Sequence, residues 1–430
     1  MRLYDSATRS LRELPPPPGP IGMYFCGPTV YARAHIGNAR PFIVGMWLRS
    51  WLRFRGYDAT LVQNITDIND KIYAAAPDGS AALAEEASRW YVEDTSDFGL
   101  GRPDHEPKAS ETIPEIVALI EELIERGLAY PANGDVYYRV HRFPEYGALA
   151  GRHDDESPRN PSEEEEQSTL KEDARDFALW KGHKEGEDTW WESPWGRGRP
   201  GWHIECSAMA EKFLGPSFEI HGGGLDLIFP HHENEVAQSR GAGREFAHLW
   251  THNGLLRFTG EKMSKSTGNV VTMRDALDEW GRETLLVYFL GAHWRKPIDY
   301  SDGPLESARA QAEGFRNVFR EQSQPAPAGS WERFVEALDD DFSTPEALAL
   351  MHQWRDHNLL SRGLEVFGLK SLAEPAEAPP EVVSLAERRK EARDRREFEE
   401  SDRLREQVEE AGWEVRDVAE PPGYRLVPRP

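Results

Sequence analysis

The amino-acid sequence predicts an α/β protein: a Rossmann-type domain on a parallel sheet, interrupted by an insertion and followed by α-helical domains. Three observations predict the sheet, namely an apolar strand that ends in a turn, an amphipathic helix after it, and a second apolar strand. A strand, a helix and a strand at this spacing form a parallel βαβ unit. With 430 residues, the chain is long enough for roughly two to four domains.

The βαβ unit is predicted from residue patterns near the N-terminus. The first strand is expected over Gly22–Tyr31 and the second over Thr60–Thr66. Between them, apolar residues recur at the three- and four-residue spacing of a helix with one buried face: Phe42, Ile43, Met46, Trp47, Trp51 and Phe54. We expect this helix to end at Gly56, because glycine suits the C-terminal end of a helix.

Residues of about 113–200 are predicted to be the insertion, because patterns suited to a parallel sheet resume only after Trp202. The insertion is expected to hold a helix over Ile113–Arg126 and a hairpin turn at Asn133–Gly134. Its polar segment 152–171, which contains four consecutive glutamates, indicates a solvent-exposed loop.

Three domains follow from these patterns. The Rossmann-type domain spans residues 1–302, and a shortened helical-bundle domain spans 303–373. A linker rich in proline, alanine and glutamate at Ala373–Pro380 separates them from a C-terminal domain of residues 381–430. The C-terminal domain is expected to begin with one charged helix over Ser384–Ala411.

Composition narrows the function classes. Apolar residues make up 39% of the chain, and no apolar run is long enough to span a bilayer, so no membrane partner is expected. The first residues, MRLYDSATRS, lack the apolar core of a signal peptide, which favours the cytoplasm. With a net charge of −24, the average surface repels nucleic acid, and any RNA site must be a local basic patch.

The first motif with chemical content is HIGN, which lies between the first strand and its helix. Gly37 lets the backbone approach a base or a phosphate closely, and the helix N-terminus offers N–H donors to anionic oxygens. His35 and Asn38 could each donate a hydrogen bond to a phosphate. Taken alone, the motif fits a structural turn equally well.

The second motif is EKMSKSTGN at residues 261–269. Its hydroxyl and amino groups, including Ser264 and Ser266, suit a clamp for a triphosphate, and Lys262 and Lys265 would stabilise charge on departing pyrophosphate. A solvated surface loop is the alternative. However, HIGN and KMSKS occur in this order more than 200 residues apart. Together they resemble the paired ATP signature of class I aminoacyl-tRNA synthetases.

A third set of residues has the chemistry of metal ligands: Cys26, Cys206, His231 and Glu235. His231 and Glu235 are four residues apart, so a helix would place both on one face, with His232 and Glu233 pointing elsewhere. Cys26 ends the first strand, at the edge where parallel sheets bind ligands. Two thiolates, an imidazole and a carboxylate suit a tetrahedral zinc site. Two buried thiols and a polar helix surface are the alternative.

Six segments together resemble the cysteinyl-tRNA synthetase family: CGPTVY at 26–31, HIGN at 35–38, NITDINDK at 64–71, PGWHIECSAM at 200–209, IHGGGLDLIFPHHENE at 220–235 and GEKMSKSTGN at 260–269. The resemblance runs from about Gly22 to Asp302 and continues more weakly towards the C-terminus. It implies that the four metal-ligand residues hold one zinc ion, which binds the substrate thiol and excludes serine without a separate editing domain.

The resemblance also implies the substrates and their contacts. These are L-cysteine, ATP with Mg²⁺, and the tRNA for cysteine. Nothing in the sequence demands a dimer, so a monomer is expected. Four residues match positions of the cysteine pocket: Gly27, Thr66, Trp202 and His221. Asp226 matches a position near the adenylate ribose or the substrate amine. Asn69 departs from the family, which often has aspartate there, and the helical domain of residues 303–373 is shorter than expected.

The densest basic segment lies near the C-terminus, and four of its arginines are predicted to contact tRNA phosphates: Arg388, Arg389, Arg393 and Arg396. A solvated helix with internal ion pairs is the alternative. The family places tRNA here, near the anticodon.

Two other functions compete. One is a ligase that joins cysteine to glucosaminyl-inositol in mycothiol synthesis, which shares the ATP and zinc sites. His221, Glu235 and the basic C-terminal segment favour tRNA instead. The other is a non-catalytic, zinc-stabilised RNA-binding protein, which the intact HIGN and KMSKS motifs argue against.

Overall fold

The computed structural model describes residues 1–151, 170–258, 261–262, 270–374, 378–418 and 422–428. All but the last two residues of the polar segment at 152–171 lie outside this part of the chain, as do Ser264, Lys265 and Ser266. Within it, no helix has the length and apolar character needed to cross a membrane.

The described part of the chain alternates between short strands and helices. The strands are β1 (Arg2–Asp5), β2 (Ser10–Glu13), β3 (Pro20–Phe25), β4 (Asp58–Gln63), β5 (Ala129–Ala132), β6 (Asp135–Tyr138), β7 (Phe177–Gly182), β8 (Gly198–Pro200), β9 (Ser217–Gly224), β10 (Phe246–Asn253), β11 (Leu256–Phe258), β12 (Glu261–Lys262), β13 (Ile298–Tyr300), β14 (Trp413–Asp417) and β15 (Tyr424–Pro428). The helices are α1 (Ala39–Phe54), α2 (Asp70–Ala75), α3 (Ser80–Ser96), α4 (Ile113–Glu125), α5 (Trp202–Leu214), α6 (Glu233–Gly241), α7 (Met273–Trp280), α8 (Arg282–Leu290), α9 (Asp302–Arg320), α10 (Ser330–Asp339), α11 (Thr344–Gln353), α12 (His357–Val366), α13 (Pro380–Asp394) and α14 (Phe398–Glu410).

A parallel sheet of four strands, in the order β10–β9–β3–β4, forms the centre of the N-terminal region. Strands β3 and β4 with helix α1 are the predicted βαβ unit, so the predicted fold class is confirmed. Both strands end earlier than predicted, at Phe25 and Gln63. Beyond them the pairing is interrupted where the Gly27 amide donates to Asn64 Oδ1 at 2.9 Å, and backbone hydrogen bonds resume at Thr66.

Helix α1 buries most of its predicted apolar face against the sheet. Phe54 is an exception, because 43% of it remains exposed. Its ring stacks on Trp51 and meets the edge of Trp331 from α10, so this end of the helix contacts the helical region instead of the sheet. The helix closes at Gly56, whose positive φ of 90° explains the glycine there.

The residues of the predicted insertion form a separate antiparallel sheet in the order β5–β6–β7–β8. The predicted hairpin turn is confirmed: Asn133 and Gly134 both have positive φ, as a two-residue turn between β5 and β6 requires. Helix α4 covers the predicted range to within one residue. It packs with this sheet, α5 and β9 around one shared apolar core.

Helices α9 to α12 follow the sheet domain, as the helical pattern predicted. They are fastened to α1 by two indole donors: Trp47 Nε1 donates to the Phe367 carbonyl at 3.0 Å, and Trp51 Nε1 donates to Asp339 Oδ1 at 3.1 Å. The apolar core therefore runs without a break from the sheet into these helices.

The C-terminal domain differs from its prediction. Instead of one helix over Ser384–Ala411, α13 and α14 form an antiparallel pair with β14 and β15. The chain reverses at Arg396, whose φ is +62°. Arg396 and Glu397 donate backbone hydrogen bonds to the last turn of α13, which ends it. No glycine marks this position, so the residue pattern contains no signal for the turn.

Candidate active site

A cavity of about 370 Å³ opens at the carboxyl edge of the parallel sheet. Seven of the predicted site residues line it: Cys26, Gly27, His35, Gly37, Asn38, Trp202 and Asp226. The first sequence signature and part of the predicted cysteine pocket thus share one cavity. The arginines of the basic segment lie far along the chain, on α13 and the turn after it.

The four predicted metal ligands converge at one end of this cavity, each from a different element. Cys26 follows β3, Cys206 is on α5, His231 precedes α6, and Glu235 is in the first turn of α6. All four are buried, and each is at most 5% exposed. One donor atom from each residue lies within 4.8 Å of every other, a grouping that could hold a metal ion.

The separations of the donor atoms fit a tetrahedral zinc ion. Usual zinc–sulfur and zinc–nitrogen bond lengths place tetrahedral ligands about 3.3 to 3.8 Å apart. Here the two sulfurs are 3.8 Å apart, and Cys26 Sγ lies 3.4 Å from His231 Nε2 and 3.6 Å from Glu235 Oε1. His231 Nε2 lies 3.2 Å from Glu235 Oε1.

The structure corrects one detail of the helical prediction. Helix α6 begins at Glu233, and His231 lies in the wide turn of residues 228–232 that leads into it. Phe229 in that turn is extended, with φ −138° and ψ 131°. The residues after it are helical, so the four-residue spacing still brings the His231 and Glu235 side chains together.

The protonation of these groups favours a bound cation. Burial raises the pKa of the Cys26 thiol well above its usual value, and Cys206 adds to this. Burial would also raise the pKa of Cys206, but Cys26 and His231 lower it to about 6. Burial lowers the pKa of His231, yet Glu235 and Cys206 outweigh burial and raise it. Buried anions of this kind need a proton or a metal ion beside them.

Two histidines support the metal ligands directly. His203 Nδ1 lies 2.8 Å from His231 Nδ1, which leaves Nε2 of His231 to face the two sulfurs. His221 Nε2 lies 2.9 Å from Glu235 Oε2, so Oε1 is the carboxylate oxygen left for a metal. Such contacts fix the orientation of metal ligands. Sequence reasoning missed His203, although it stands inside the PGWHIECSAM segment.

A second donor grouping, of Cys26, His221, His232 and Glu235, is also compact enough for a metal ion. It contains one sulfur instead of two. Moreover, His232 Nδ1 lies 2.7 Å from His252 Nε2, and the ring of His252 reaches Ser6 Oγ at 2.8 Å. Burial lowers the pKa of His232 well below its usual value and that of His252 to about 3, so both are neutral. These contacts fit a supporting role better than ligation.

Trp202 forms the wall between the metal donors and the open cavity. Its indole stacks on the His231 ring with centroids 4.4 Å apart and planes at 27°. His221 is buried behind the donors and stacks on Trp250 at 4.5 Å. Trp202 therefore can contact a substrate in the cavity, whereas His221 acts through Glu235.

Asn64 links two predicted pocket residues. Its side chain accepts from the Gly27 amide and donates to Thr66 Oγ1 at 3.0 Å. Thr66 is buried and contributes through this bond. A side chain at position 27 would place its Cβ 1.7 Å from the Asn64 carbonyl oxygen, so only glycine fits. Asn64 was not singled out from the sequence, although it opens the NITDINDK segment.

The HIGN segment forms the opposite end of the cavity. Residues Ile36–Asn38 make a short turn that leads into α1. A Cβ at Gly37 would lie 2.8 Å from His35 Nδ1, so the glycine lets the imidazole fold over the turn. Backbone bonds of 2.9 Å from Ile36 to Val271 and from Met273 to Ala34 join this segment to the residues after the KMSKS loop.

Most of the KMSKS motif lies outside the described residues. The backbone of Lys262 belongs to β12, which pairs with β11 antiparallel. Asn69, which departs from the family pattern, is the N-cap of α2: its Oδ1 accepts from the Lys71 amide at 3.1 Å. Asparagine and aspartate cap helices about equally well, so the departure leaves this helix start intact.

The basic segment divides into exposed and buried arginines. Arg389 is 3% exposed, and its Nη1 donates to Asp417 Oδ1 at 2.8 Å. Arg393 shares the same carboxylate. Arg388 and Arg396 remain exposed. Arg389 therefore fastens α13 to β14, while the other arginines leave charge at the surface.

Comparisons with known proteins agree with this geometry. Residues 15–310 match the family model of the class I tRNA synthetase (C) catalytic domain. The chain is 42% identical to the cysteine–tRNA ligase of Halorhodospira halophila, with 99% of each chain covered, and 41% identical to that of Streptomyces avermitilis, with 100% of each covered. The methionyl-tRNA synthetase of Mycobacterium tuberculosis has a similar structure, with a TM-score of 0.59 at 14% identity over 82% of this chain and 88% of that one.

The fold and the catalytic domain are those of a class I aminoacyl-tRNA synthetase. Within that class, the chain belongs to the cysteine–tRNA ligase family. The predicted family and enzyme class are thereby confirmed. Neither a mycothiol ligase nor a non-catalytic RNA-binding protein finds support in these comparisons.

Proposed function

We propose that this chain activates L-cysteine with ATP and Mg²⁺, forms cysteinyl-adenylate, and transfers the cysteine to its tRNA. The observation that carries the proposal is the joining of two sites in one cavity: four buried metal donors at one end, and the HIGN turn at the other. The enzyme is proposed to act as a monomer in the cytoplasm, where tRNA charging serves translation.

Zinc is the metal proposed for Cys26, Cys206, His231 and Glu235, because the sulfur-rich donor set and the donor spacing suit it. When bound, zinc would coordinate a thiol and favour its thiolate form. The chain's own residues then limit what can enter. Trp202 covers the His231 ring, and the buried side chains of His203 and His221 hold His231 and Glu235 in place. Serine offers a weaker oxygen donor at the same position, so it would be rejected.

The HIGN turn is proposed to hold the ATP phosphates. His35 and Asn38 are partly exposed at the cavity wall, where each can donate to a phosphate oxygen. Gly37 keeps the turn compact. The motif residues Lys262, Ser264, Lys265 and Ser266 are proposed to approach the same phosphates. In support, Leu256 before the motif and Val270 after it both line this cavity.

The turn between α13 and α14 is proposed to contact tRNA. Exposed Arg388, Arg395 and Arg396 supply positive charge there. Phe398, beside them, is 62% exposed, more than any other large apolar residue in the described part of the chain. Arginines with an exposed aromatic ring suit phosphates and an unstacked base.

One experiment tests the whole proposal. ATP–pyrophosphate exchange is measured with each of the common amino acids, and charging of total tRNA is measured afterwards. Cysteine alone should support exchange, and one tRNA species should accept it. Exchange with cysteine but no tRNA charging would favour the mycothiol-type ligase, and no exchange at all would contradict the proposal.

A further inference from the structure

Arg33 places a cationic group in the wall of the cavity, two residues before the HIGN turn. It is 32% exposed, and its side chain forms a two-point hydrogen bond with one carboxylate: Nε to Asp94 Oδ2 at 2.9 Å and Nη2 to Asp94 Oδ1 at 2.8 Å. Within the described part of the chain, nothing accepts a hydrogen bond from Nη1. The two N–H donors of Nη1 are therefore available to a ligand.

Asp94 is built to hold this arginine in place. Its carboxylate is fully buried on α3, and it also accepts from Arg274 Nε at 3.1 Å. Arg274 is in turn paired with Asp97 and Asp278, so its charge is balanced locally. A buried carboxylate held by two arginines cannot rotate freely. It fixes the Arg33 guanidinium in one orientation.

The surroundings of Arg33 belong to the ATP end of the cavity. The neighbouring Ala34 carbonyl accepts from the Met273 amide, and Arg274 follows directly. Arg33, Asp94 and Arg274 thus tie the residues before HIGN to the residues after the KMSKS loop. A phosphate held by the HIGN turn would lie in the cavity whose wall includes Arg33.

We infer that Arg33 binds the phosphates of ATP and of the departing pyrophosphate, and that Asp94 positions it for this contact. The inference rests on the proposed function, since it assigns a further residue to the same nucleotide site. The shared chemistry is a phosphate oxygen, which a tRNA backbone also carries. We assign ATP because Arg33 lines the same cavity as the HIGN turn and does not lie on the insertion or the C-terminal domain.

The test compares Arg33→Gln and Arg33→Lys with the parent enzyme in cysteine-dependent pyrophosphate exchange. Arg33→Gln should lower kcat/KM for ATP and raise KM for pyrophosphate, each by roughly 10- to 100-fold, because a charged hydrogen bond to phosphate is removed. KM for cysteine should stay within about twofold, because the metal donors are untouched. Arg33→Lys keeps the charge without the two-point geometry, so its loss of activity should be smaller.

Arg139→Gln is the matched control. Arg139 also makes a two-point bond, with Glu172 at 2.7 and 2.9 Å, and covers the Tyr130 ring, but it lies outside the cavity. Its kcat/KM for ATP and its KM for pyrophosphate should equal those of the parent. If Arg33→Gln behaves like Arg139→Gln, the inference is wrong.

Two further readouts separate the remaining outcomes. If Arg33→Gln exchanges pyrophosphate normally but transfers cysteine to tRNA slowly in a single turnover, the phosphate belongs to tRNA, and the ATP assignment is overturned. If kcat/KM for ATP, kcat/KM for cysteine and the melting temperature all fall in Arg33→Gln, Arg33 acts on the fold, and the inference is also overturned. A parent without exchange would contradict the proposed function instead. Calorimetric titration with ATP alone would then still compare parent and Arg33→Gln.

Asp94→Asn tests the positioning role. It keeps the shape of the side chain but weakens the hold on Arg33, so it should raise KM for ATP with little change in KM for cysteine. Arg274→Gln is the control, because it removes the bond between α7 and Asp94 on α3 but leaves the bond between Asp94 and Arg33. If Arg274→Gln raises KM for ATP as much as Asp94→Asn does, the role of Asp94 lies in helix packing, and that part of the inference fails.

Discussion

The two ends of the cavity are built from different kinds of structure. At the metal end, four buried donors come from four separate elements, and neighbouring side chains fix each ring and carboxylate oxygen. At the HIGN end, the proposed phosphate end, partly exposed residues of a turn are held mainly by two backbone hydrogen bonds and one arginine–aspartate pair. One end is part of the protein core, and the other is a surface that the core supports.

This difference matches the demands of the two substrates. Distinguishing a thiol from a hydroxyl requires donors that do not move, because a relaxed site would accommodate the weaker ligand. Pyrophosphate, in contrast, must leave in every cycle, so its contacts have to be strong in the transition state and reversible afterwards. Changes at the metal end should therefore affect selection of the amino acid, and changes at the phosphate end should affect rate.

The largest expected effect comes from breaking the metal end. Cys206→Ser should remove most of the bound zinc and lower cysteine-dependent exchange on the order of 1,000-fold, since a Lewis-acid contact contributes several kcal/mol. ATP binding should change little. Zinc content is measured by atomic absorption, and ATP binding by calorimetry.

Ser207→Ala is the control for Cys206→Ser. Ser207 is the next residue on α5, equally buried, and its hydroxyl donates to Gln238 Oε1 at 2.6 Å, away from the donor cluster. Its zinc content should equal that of the parent. A Cys206→Ser protein that retains zinc and still rejects serine would refute the assignment of the donors.

The corresponding change at the phosphate end is Lys265→Ala. If Lys265 stabilises the charge that develops on pyrophosphate, exchange should slow by roughly 100-fold or more, the cost of removing one preorganised donor. Zinc content and KM for cysteine should be unchanged in Lys265→Ala, whereas Cys206→Ser should change both. An exchange rate within about twofold of the parent would mean that Lys265 has no such role.

An intermediate effect is expected for the residues behind the donors. His203→Ala removes the partner of His231 Nδ1 but none of the four ligands. Zinc affinity, measured by competition with a chelator, should fall roughly 10- to 100-fold. Exchange should recover when excess zinc is supplied, whereas Cys206→Ser should not recover. Unchanged affinity would show that packing alone orients His231.

The sequence predicted the four metal donors better than it predicted the residues that hydrogen-bond to the site. The chain has only two cysteines, so chemistry made Cys26 and Cys206 candidates, and the family resemblance favoured metal binding over plain burial. His203 and Asn64 act through hydrogen bonds to residues far along the chain, at His231 and Gly27. Such pairs depend on tertiary packing, so no local sequence pattern predicts them. The pairing of Arg33 with Asp94 escaped prediction for the same reason.

The fold shows a similar division. Regular elements with a clear apolar period, such as α1 and α4, were predicted to within a few residues. The predicted helix bounds were wrong at two turns that no glycine marks. The turn at Arg396 has positive φ without a glycine, and the turn before α6 shifts the start of that helix past His231. At Arg396 the turn is closed by backbone hydrogen bonds to α13, which residue type does not reveal.

The smallest effect concerns the exposed turn between α13 and α14, which lies outside both ends of the cavity. Arg388→Glu combined with Arg396→Glu should weaken tRNA binding and reduce the slope of log affinity against log salt by about two, because each arginine is expected to neutralise one phosphate. Exchange should not change, because it requires no tRNA. Arg389→Gln should behave differently: it removes the partly buried ion pair between Arg389 and Asp417, so it should lower the melting temperature of the C-terminal domain. Affinity is measured by filter binding across a salt series, with Arg126→Glu as the control, because Arg126 is an exposed arginine of the insertion paired with Glu122. If the double variant and the control give the same salt slope, the exposed arginines serve only as the solvated face of a helix.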